Sequence, residues 1–273
     1  MTDPTIHTVR DALALATSQL RKAECPDAQA DAQAITADSL GLPRSALLEP
    51  DALVPLAVVQ IITERVTRRA RREPLEYVLG TCDFRGLSLS VDPRVLVPEE
   101  DTGALVEIAL ELPKGSRVHD VGTGSGAHAL AIKHERPDLS VSGSDISADA
   151  VAVARENARR LDLDVSFVVG PGLPPGSYDL VIANLPYNDT DLRVVADPPE
   201  VTNYQPGIAI FGGGADGLDT IRAFLRATDP AYLIAIQHDI SQTNPIRTLF
   251  RDPKPFGPTS GNKRFVVGHP ATA

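Results

Sequence analysis

Apolar residues recur at helical spacing through about residue 73. Val9, Leu13, Ala16 and Leu20 lie three or four positions apart, and so do Ala30, Ala34, Ala37 and Leu40, where Gly41 supplies a stop. A third helix is predicted from about Pro55 to Arg72, with Val59, Ile62 and Val66 on one face. Pro74 closes this run. From Tyr77 to Leu96 the pattern predicts a hairpin, because Phe84 to Val91 alternates apolar and polar residues around a bend at Gly86. Pro93 and Pro98 bracket an extended segment, Arg94 to Val97.

From Asp101 the pattern becomes helix and strand in turn. Helices are expected over 102–112, 127–133, 148–161, 215–227 and 241–250. Strands are expected over 118–121, 139–144, 165–169, 178–183, 232–236 and 264–268. Ser147 suits the N-cap of the helix that follows it, and Asp149 its first turn. Such alternation makes a doubly wound, largely parallel α/β sheet with helices on both faces. Three regions are expected: a helical domain over 1–73, a linking β-hairpin over 74–98, and an α/β domain over 99–273.

Composition narrows the class. A chain of 273 residues, 42% of them hydrophobic, suits one catalytic domain and a smaller one. It contains no apolar run near the ~18 residues of a membrane span. Met1 to Thr5 lacks the basic and apolar regions of a signal peptide, so a cytoplasmic location is expected. Two cysteines, Cys25 and Cys82, and six scattered histidines have no metal-ligand spacing, so no metal site is expected. The net charge of −10 argues against nucleic acid as the main substrate. Arg65, Arg68, Arg69, Arg71 and Arg72 form a local exception, either a solvated helix end or a dock for an acidic or RNA-containing partner.

Two stretches carry candidate chemistry. Val118 to Val121 is a short strand that runs into Gly122-Thr-Gly-Ser-Gly126 and then an alanine-rich helix. Such glycines permit a tight turn and close backbone approach to a ligand, and the helix start offers N–H groups to a polar or anionic group. Asp145 closes the next apolar segment, where a carboxylate grips a ribose hydroxyl in nucleotide-type sites. Gly122, Gly124 and Ala127 also satisfy the loose dinucleotide fingerprint, so a nicotinamide enzyme is an alternative at this point. The second stretch is Asn184-Leu-Pro-Tyr187, at the end of another buried-type strand. An asparagine oxygen and an adjacent backbone carbonyl can each accept a hydrogen bond, proline fixes the backbone, and the tyrosine ring offers a flat face. Together they suit a planar –NH₂ group on a trigonal carbon, which two acceptors would orient for attack on a methyl donor.

These stretches resemble the HemK/PrmC family of protein-(glutamine-N5) methyltransferases along nearly the whole chain. The similarity extends to Glu73 to Gly80, Phe84 to Val91, Arg94 to Pro98 with Asp101 and Thr102, Asp145 to Ser147, and Phe211 to Asp219. Asp31 to Leu48 is similar to the family's helical substrate-docking domain. The resemblance implies a Rossmann-like class I methyltransferase fold, S-adenosylmethionine as cofactor, and a glutamine of the Gly-Gly-Gln motif of peptide-chain release factors as acceptor. It implies cofactor binding by Gly122, Thr123, Gly124, Ser125, Gly126, Asp145, Ile146 and Asn184. It further implies that Asn184, Leu185, Pro186 and Tyr187 hold the acceptor, with Asn184, Pro186 and Tyr187 catalytic. Leu185 stands where the family usually has proline. Glu99 stands where it has a basic residue, Gly170 to Gly176 carries no carboxylate beside the expected adenine, and Gln237 stands in place of a glutamate. Three alternatives keep the same build: a small-molecule amide, amine or guanidine as acceptor, an RNA adenine as acceptor, and a non-catalytic binding module.

Overall fold

The computed structural model describes residues 7–189, 198–259 and 261–272, so the reading of Met1 to Thr5 lies outside the described residues. The chain divides into two compact units, one of residues 1–80 with 198–204, the other of residues 81–197 with 205–273.

The first unit is helical. Helices α1 (Val9–Lys22), α2 (Ala28–Leu40) and α3 (Leu56–Ala70) are followed by a short α4 (Leu75–Leu79). The predicted faces of α1 and α3 meet in one core, with Ala16, Leu20, Val59, Ile62 and Val66 buried, but α2 enters it through Ala28, Ala32 and Ile35, while Ala30 of its predicted face is exposed. Thr8 starts α1 with a capping box, its hydroxyl accepting from Asp11 N–H while the Asp11 carboxylate accepts from Thr8 N–H. The arginine cluster is largely spoken for. Arg65 meets Asp38, Arg68 meets Glu73, and Arg72 binds Glu200 through two nitrogens. Arg69, buried, bridges Asp31 and Glu200 at 2.8 Å each. Neither a solvated helix end nor an open basic face describes most of this cluster.

The second unit begins with the hairpin β1 (Thr81–Phe84) and β2 (Leu87–Ser90). This hairpin is shorter than the predicted one. Tyr77 and Val78 fall in α4, and residues 92–95 turn back on themselves through Val95 N–H to Asp92 C=O instead of extending. Phe84, Leu87 and Leu89 bury themselves in the core of this unit.

Seven further strands form one sheet. They are β3 (Arg117–Val121), β4 (Ser140–Asp145), β5 (Ser166–Val169), β6 (Leu180–Ala183), β7 (Ile234–Asp239), β8 (Lys254–Phe256) and β9 (Lys263–Gly268). Their order is β5-β4-β3-β6-β7-β9-β8. The first five run parallel, and β9 pairs antiparallel with both β7 and β8. Successive residues of β6 feed opposite cores. Leu180 and Ile182 pack with Leu105, Leu130 and Ile132 on one face, and Val181 and Ala183 with Leu218, Ile221 and Phe224 on the other. Burial on both faces is why these strands read as unbroken apolar runs. Helices α5 (Ala104–Leu110), α6 (Ala127–Glu135) and α7 (Ala148–Arg160) flank the sheet, and the Ser147 hydroxyl caps α7 by accepting from Ala150 N–H.

Two predicted helices start late. The one expected from Ala215 begins at Asp219, because Gly217 holds a left-handed φ of 73° that no helix accommodates. The one expected from Ser241 opens with a 3₁₀ turn and is α-helical only over Thr243–Arg247. Strand β8 was not predicted, because three residues with a central proline give no alternation to read.

From β3 the chain winds outward through β4 and β5, then returns to the other side of β3 as β6. The reversal point of such a sheet leaves a crevice at the carboxyl ends of the two diverging strands, here β3 and β6.

Candidate active site

A cavity of about 670 Å³ opens at that crevice. Its walls come from the segments that follow β3, β4, β5 and β6, namely Gly122–Ser125, Asp145–Ser147, Gly170–Leu173 and Asn184–Pro186. Arg94–Glu99, Thr102 and His128 close one side, and Ile208, Phe211 and Phe224 another.

The glycine turn is built as the sequence implied. Gly122, Gly124 and Gly126 have φ of 73°, 56° and 85°. Only Gly122 and Gly124 line the cavity. A methyl group on Gly122 would sit 3.0 Å from Leu185 Cδ2, whereas one on Gly124 would meet nothing within 4 Å. Gly126 serves packing, since a methyl group there would press on Leu130, Phe167 and Ala154. The turn is held from behind by Asn157 of α7, fully buried, which donates to Ser90 and Ser125 carbonyls and accepts from Ser90 N–H.

Asp145 lies at the end of β4 with each oxygen already held, Oδ2 by Gly124 N–H and Oδ1 by Ser147 N–H, both at 2.9 Å. A carboxylate oxygen accepts more than one bond, so both retain capacity toward the cavity. Ile146 beside it is 60% exposed, an apolar side chain facing open space at the cavity wall.

Asp120, on β3, is wholly buried. Its Oδ2 accepts from Thr123 Oγ1 at 2.6 Å, and its Oδ1 has no hydrogen-bonding partner among the described residues. Burial pushes its pKa up to about 7, the neighbouring Asp145 charge adds to this, and the Thr123 hydroxyl opposes it. An unfolded aspartate titrates near 4. The folded pKa is the higher one, so the favourable state is complete below pH 4 and is lost as pH rises through about 7. Asp120→Asn is therefore expected to flatten the fall in stability between pH 4 and 8. The parent's free energy of unfolding should drop relative to the variant's by an amount on the order of 4 kcal/mol. Parallel curves for the two proteins would show that Asp120 does not titrate there.

Asn184, Leu185 and Pro186 line the cavity. Among the described residues, none hydrogen-bonds the Asn184 side-chain amide. Tyr187 does not line the cavity. Its hydroxyl accepts from Gln237 Nε2 at 3.1 Å and its carbonyl from Gln242 Nε2 at 2.7 Å. Loop 212–217 braces the same stretch. Gly212 N–H donates to the Asn188 carbonyl, and a methyl group on Gly212 would lie 1.9 Å from the Gly217 carbonyl oxygen and 2.4 Å from that of Pro186.

Residues that carried no motif complete the rim. Lys263 pairs with Glu99 and, at 2.6 Å, with Asp101, which neutralises the acidic residue at 99. Burial lowers the Lys263 pKa, but the two carboxylates outweigh it and the net shift is upward. His128 donates from Nε2 to Thr102 Oγ1, whose own hydrogen goes to the Glu99 carbonyl. Burial brings the His128 pKa down to about 4, so the ring is neutral. A signal for Asn157 existed: a polar residue on the apolar stripe of Val151 and Ala154. Nothing local marks Lys263, whose partners lie more than 160 positions away.

This donor set suits a nucleoside-type cofactor. It combines a cleft of sufficient size, a carboxylate with spare acceptor capacity beside a bare glycine turn, and an exposed isoleucine. Among the described residues no helix is long and apolar enough to cross a membrane.

Comparison with known proteins agrees. Residues 11–80 match the family model of the PrmC N-terminal domain, and residues 99–196 that of the methyltransferase small domain. A release factor glutamine methyltransferase of Deinococcus radiodurans is 38% identical over 221 residues, 78% of each chain. One from Mycolicibacterium smegmatis is 33% identical over 278 residues, 95% of this chain and 96% of that one. Among solved structures, the human Mettl16 catalytic domain with an RNA hairpin superposes with a TM-score of 0.54 at 16% identity, over 75% of this chain and 79% of that one, a likeness of fold alone. At these identities, over most of both chains, the protein belongs to the release factor glutamine methyltransferase family and is an S-adenosylmethionine-dependent methyltransferase.

Proposed function

We propose that this chain methylates the side-chain amide nitrogen of a glutamine in a peptide-chain release factor. The observation that carries the reading is the unbonded Asn184 amide on the wall of the same cavity as the glycine turn. When bound, the cofactor supplies an electrophilic methyl group on a sulfonium. Gly122 to Ser125, Asp145 and Ile146 would hold it, with Asp145 accepting from ribose hydroxyls.

Asn184 Oδ1 would accept one N–H of the glutamine amide. The Leu185 carbonyl, which accepts from no described residue, is left for the other. Two acceptors in the amide plane draw electron density onto nitrogen and fix its lone pair toward the methyl group. Pro186 keeps that carbonyl in place, and Tyr187 acts as a support rather than as a wall. The helical unit would serve to dock the factor.

Mass spectrometry after incubation with labelled cofactor and an intact release factor tests this. Methyl on the Gly-Gly-Gln glutamine supports it. An unmodified factor beside a modified small-molecule amide or RNA would overturn the acceptor assignment. Asp145→Ala is expected to weaken binding of S-adenosylhomocysteine by roughly 10–100-fold, the scale of lost hydrogen bonds to a charged group. Calorimetry reads this directly, and unchanged affinity would remove Asp145 from the cofactor site.

A further inference from the structure

One wall of the cavity is unusual in having no ionisable group. It is the connection from β5 to β6, Gly170-Pro-Gly-Leu-Pro-Pro-Gly176, and Gly170 to Leu173 line the cavity. This connection contains no helix. The loop is pinned instead by hydroxyls that donate to its carbonyls: Ser144 to Gly172 at 2.8 Å, Tyr178 to Pro174 at 3.2 Å and Tyr232 to Gly176 at 2.6 Å.

Ser144 is fully buried on β4, and its hydroxyl has a second neighbour, His119 Nε2, at 2.9 Å. The other ring nitrogen, Nδ1, lies 2.8 Å from Ser142 Oγ. His119 is on β3, directly opposite Ser142 in the register, and is 1% exposed. The hydrogen positions follow from counting. The Gly172 carbonyl can only accept, so the single Ser144 hydroxyl hydrogen goes to it. Toward His119 the Ser144 oxygen therefore accepts, and Nε2 carries the proton. Nδ1 is then unprotonated and accepts from the Ser142 hydroxyl. Burial holds the His119 pKa near 4, in keeping with a neutral ring.

We infer that His119 and Ser144 are positioning residues for cofactor binding, which set the Gly170–Leu173 wall through the Ser144–Gly172 hydrogen bond. This rests on the reading that the cofactor occupies the cavity beside Asp145. The Gly170 N–H donates to the Asp145 carbonyl at 2.9 Å, so the wall and the ribose carboxylate sit on one continuous backbone ladder. Where the family resemblance leads one to expect a side-chain carboxylate, this chain offers backbone, and the backbone needs an anchor. Proline and glycine supply little packing of their own, and a loop without an anchor would have to be ordered by the ligand at a cost in affinity.

Calorimetric titration with S-adenosylhomocysteine tests the inference. Ser144→Ala is expected to raise the dissociation constant about tenfold, the value of one hydrogen bond, with kcat at saturating cofactor unchanged. Ser144→Thr, which keeps the hydroxyl, should bind like the parent. In the unliganded parent, nitrogen NMR of the imidazole should report an Nε2–H tautomer at pH 7, a measurement that does not depend on any variant folding. Parent binding matched by equal affinity in a folded Ser144→Ala variant, or an Nδ1–H tautomer, would overturn this inference alone. A parent that fails to bind S-adenosylhomocysteine would overturn the cofactor reading and this inference with it.

Discussion

Asn184→Ala is expected to lower turnover by roughly 10²–10³-fold, the range found when one preorganised partner of a developing charge is removed. Affinity for S-adenosylhomocysteine should change only a few-fold. The argument rests on what the side chain is not doing. The Asn184 amide is half-buried, lines the cavity and has no hydrogen-bonding partner among the described residues. Its hydrogen-bonding capacity is therefore open to a ligand that enters the cavity. The amide nitrogen of an acceptor is a weak nucleophile because its lone pair is delocalised, so loss of an acceptor that counteracts this falls on the chemical step. Asn184→Asp keeps one acceptor oxygen, replaces the NH₂ donor by a second acceptor and adds a negative charge. It should retain more activity than the alanine variant if the oxygen carries the role. Equal turnover in Asn184→Ala and the parent would remove the amide-receptor mechanism.

Gly212→Ala should be as damaging, although residue 212 is outside the cavity wall. A methyl group there would lie 1.9 Å from one carbonyl oxygen and 2.4 Å from another, and both belong to backbone that cannot swing away as a side chain could. Nor can Gly212 itself retreat. Its N–H is held by the Asn188 carbonyl and its own carbonyl by Thr220, through both N–H and hydroxyl. Overpacking of this kind costs typically 1–3 kcal/mol, and relief requires Pro186 to move. A shift of about 1 Å in a reacting group can cost roughly 100-fold in rate. Thermal denaturation and turnover together check this. A Gly212→Ala variant with parental activity and melting temperature would show that the loop does not brace Pro186.

Much of this site was legible because it obeys short-range rules. The strand, the glycine turn, the Ser147 cap and Asp145 are each readable within a window of a few residues, and sheet topology then brings Gly122 and Asn184 to neighbouring strand ends. Residues that act across the fold were not legible. Gln242 donates to Tyr187 and Asp216 carbonyls, Asn157 ties hairpin to turn, and Lys263 closes the rim, each over tens of positions or more. No period in the sequence encodes such pairs. Tyr187, expected in the site, is not among the residues that line the cavity, and its hydroxyl and carbonyl accept from Gln237 and Gln242, partners that no motif announces. The late start of helix Asp219–Ala227 has the same origin, since Gly217 answers to the Tyr187 carbonyl 2.1 Å from where its side chain would begin.

The outermost strands of the sheet bear on self-association. An open rim of unpaired amides is a template for another chain. Strand β8 offers only three residues, one of them Pro255, which has no N–H to donate, and an exposed lysine beside it. On the far rim, Arg155 occupies the Phe167 carbonyl of β5 through two nitrogens. Both borders are thereby poor seeds for intermolecular β-pairing, a safeguard for a sheet whose parallel core is slow to assemble and exposed while it does so.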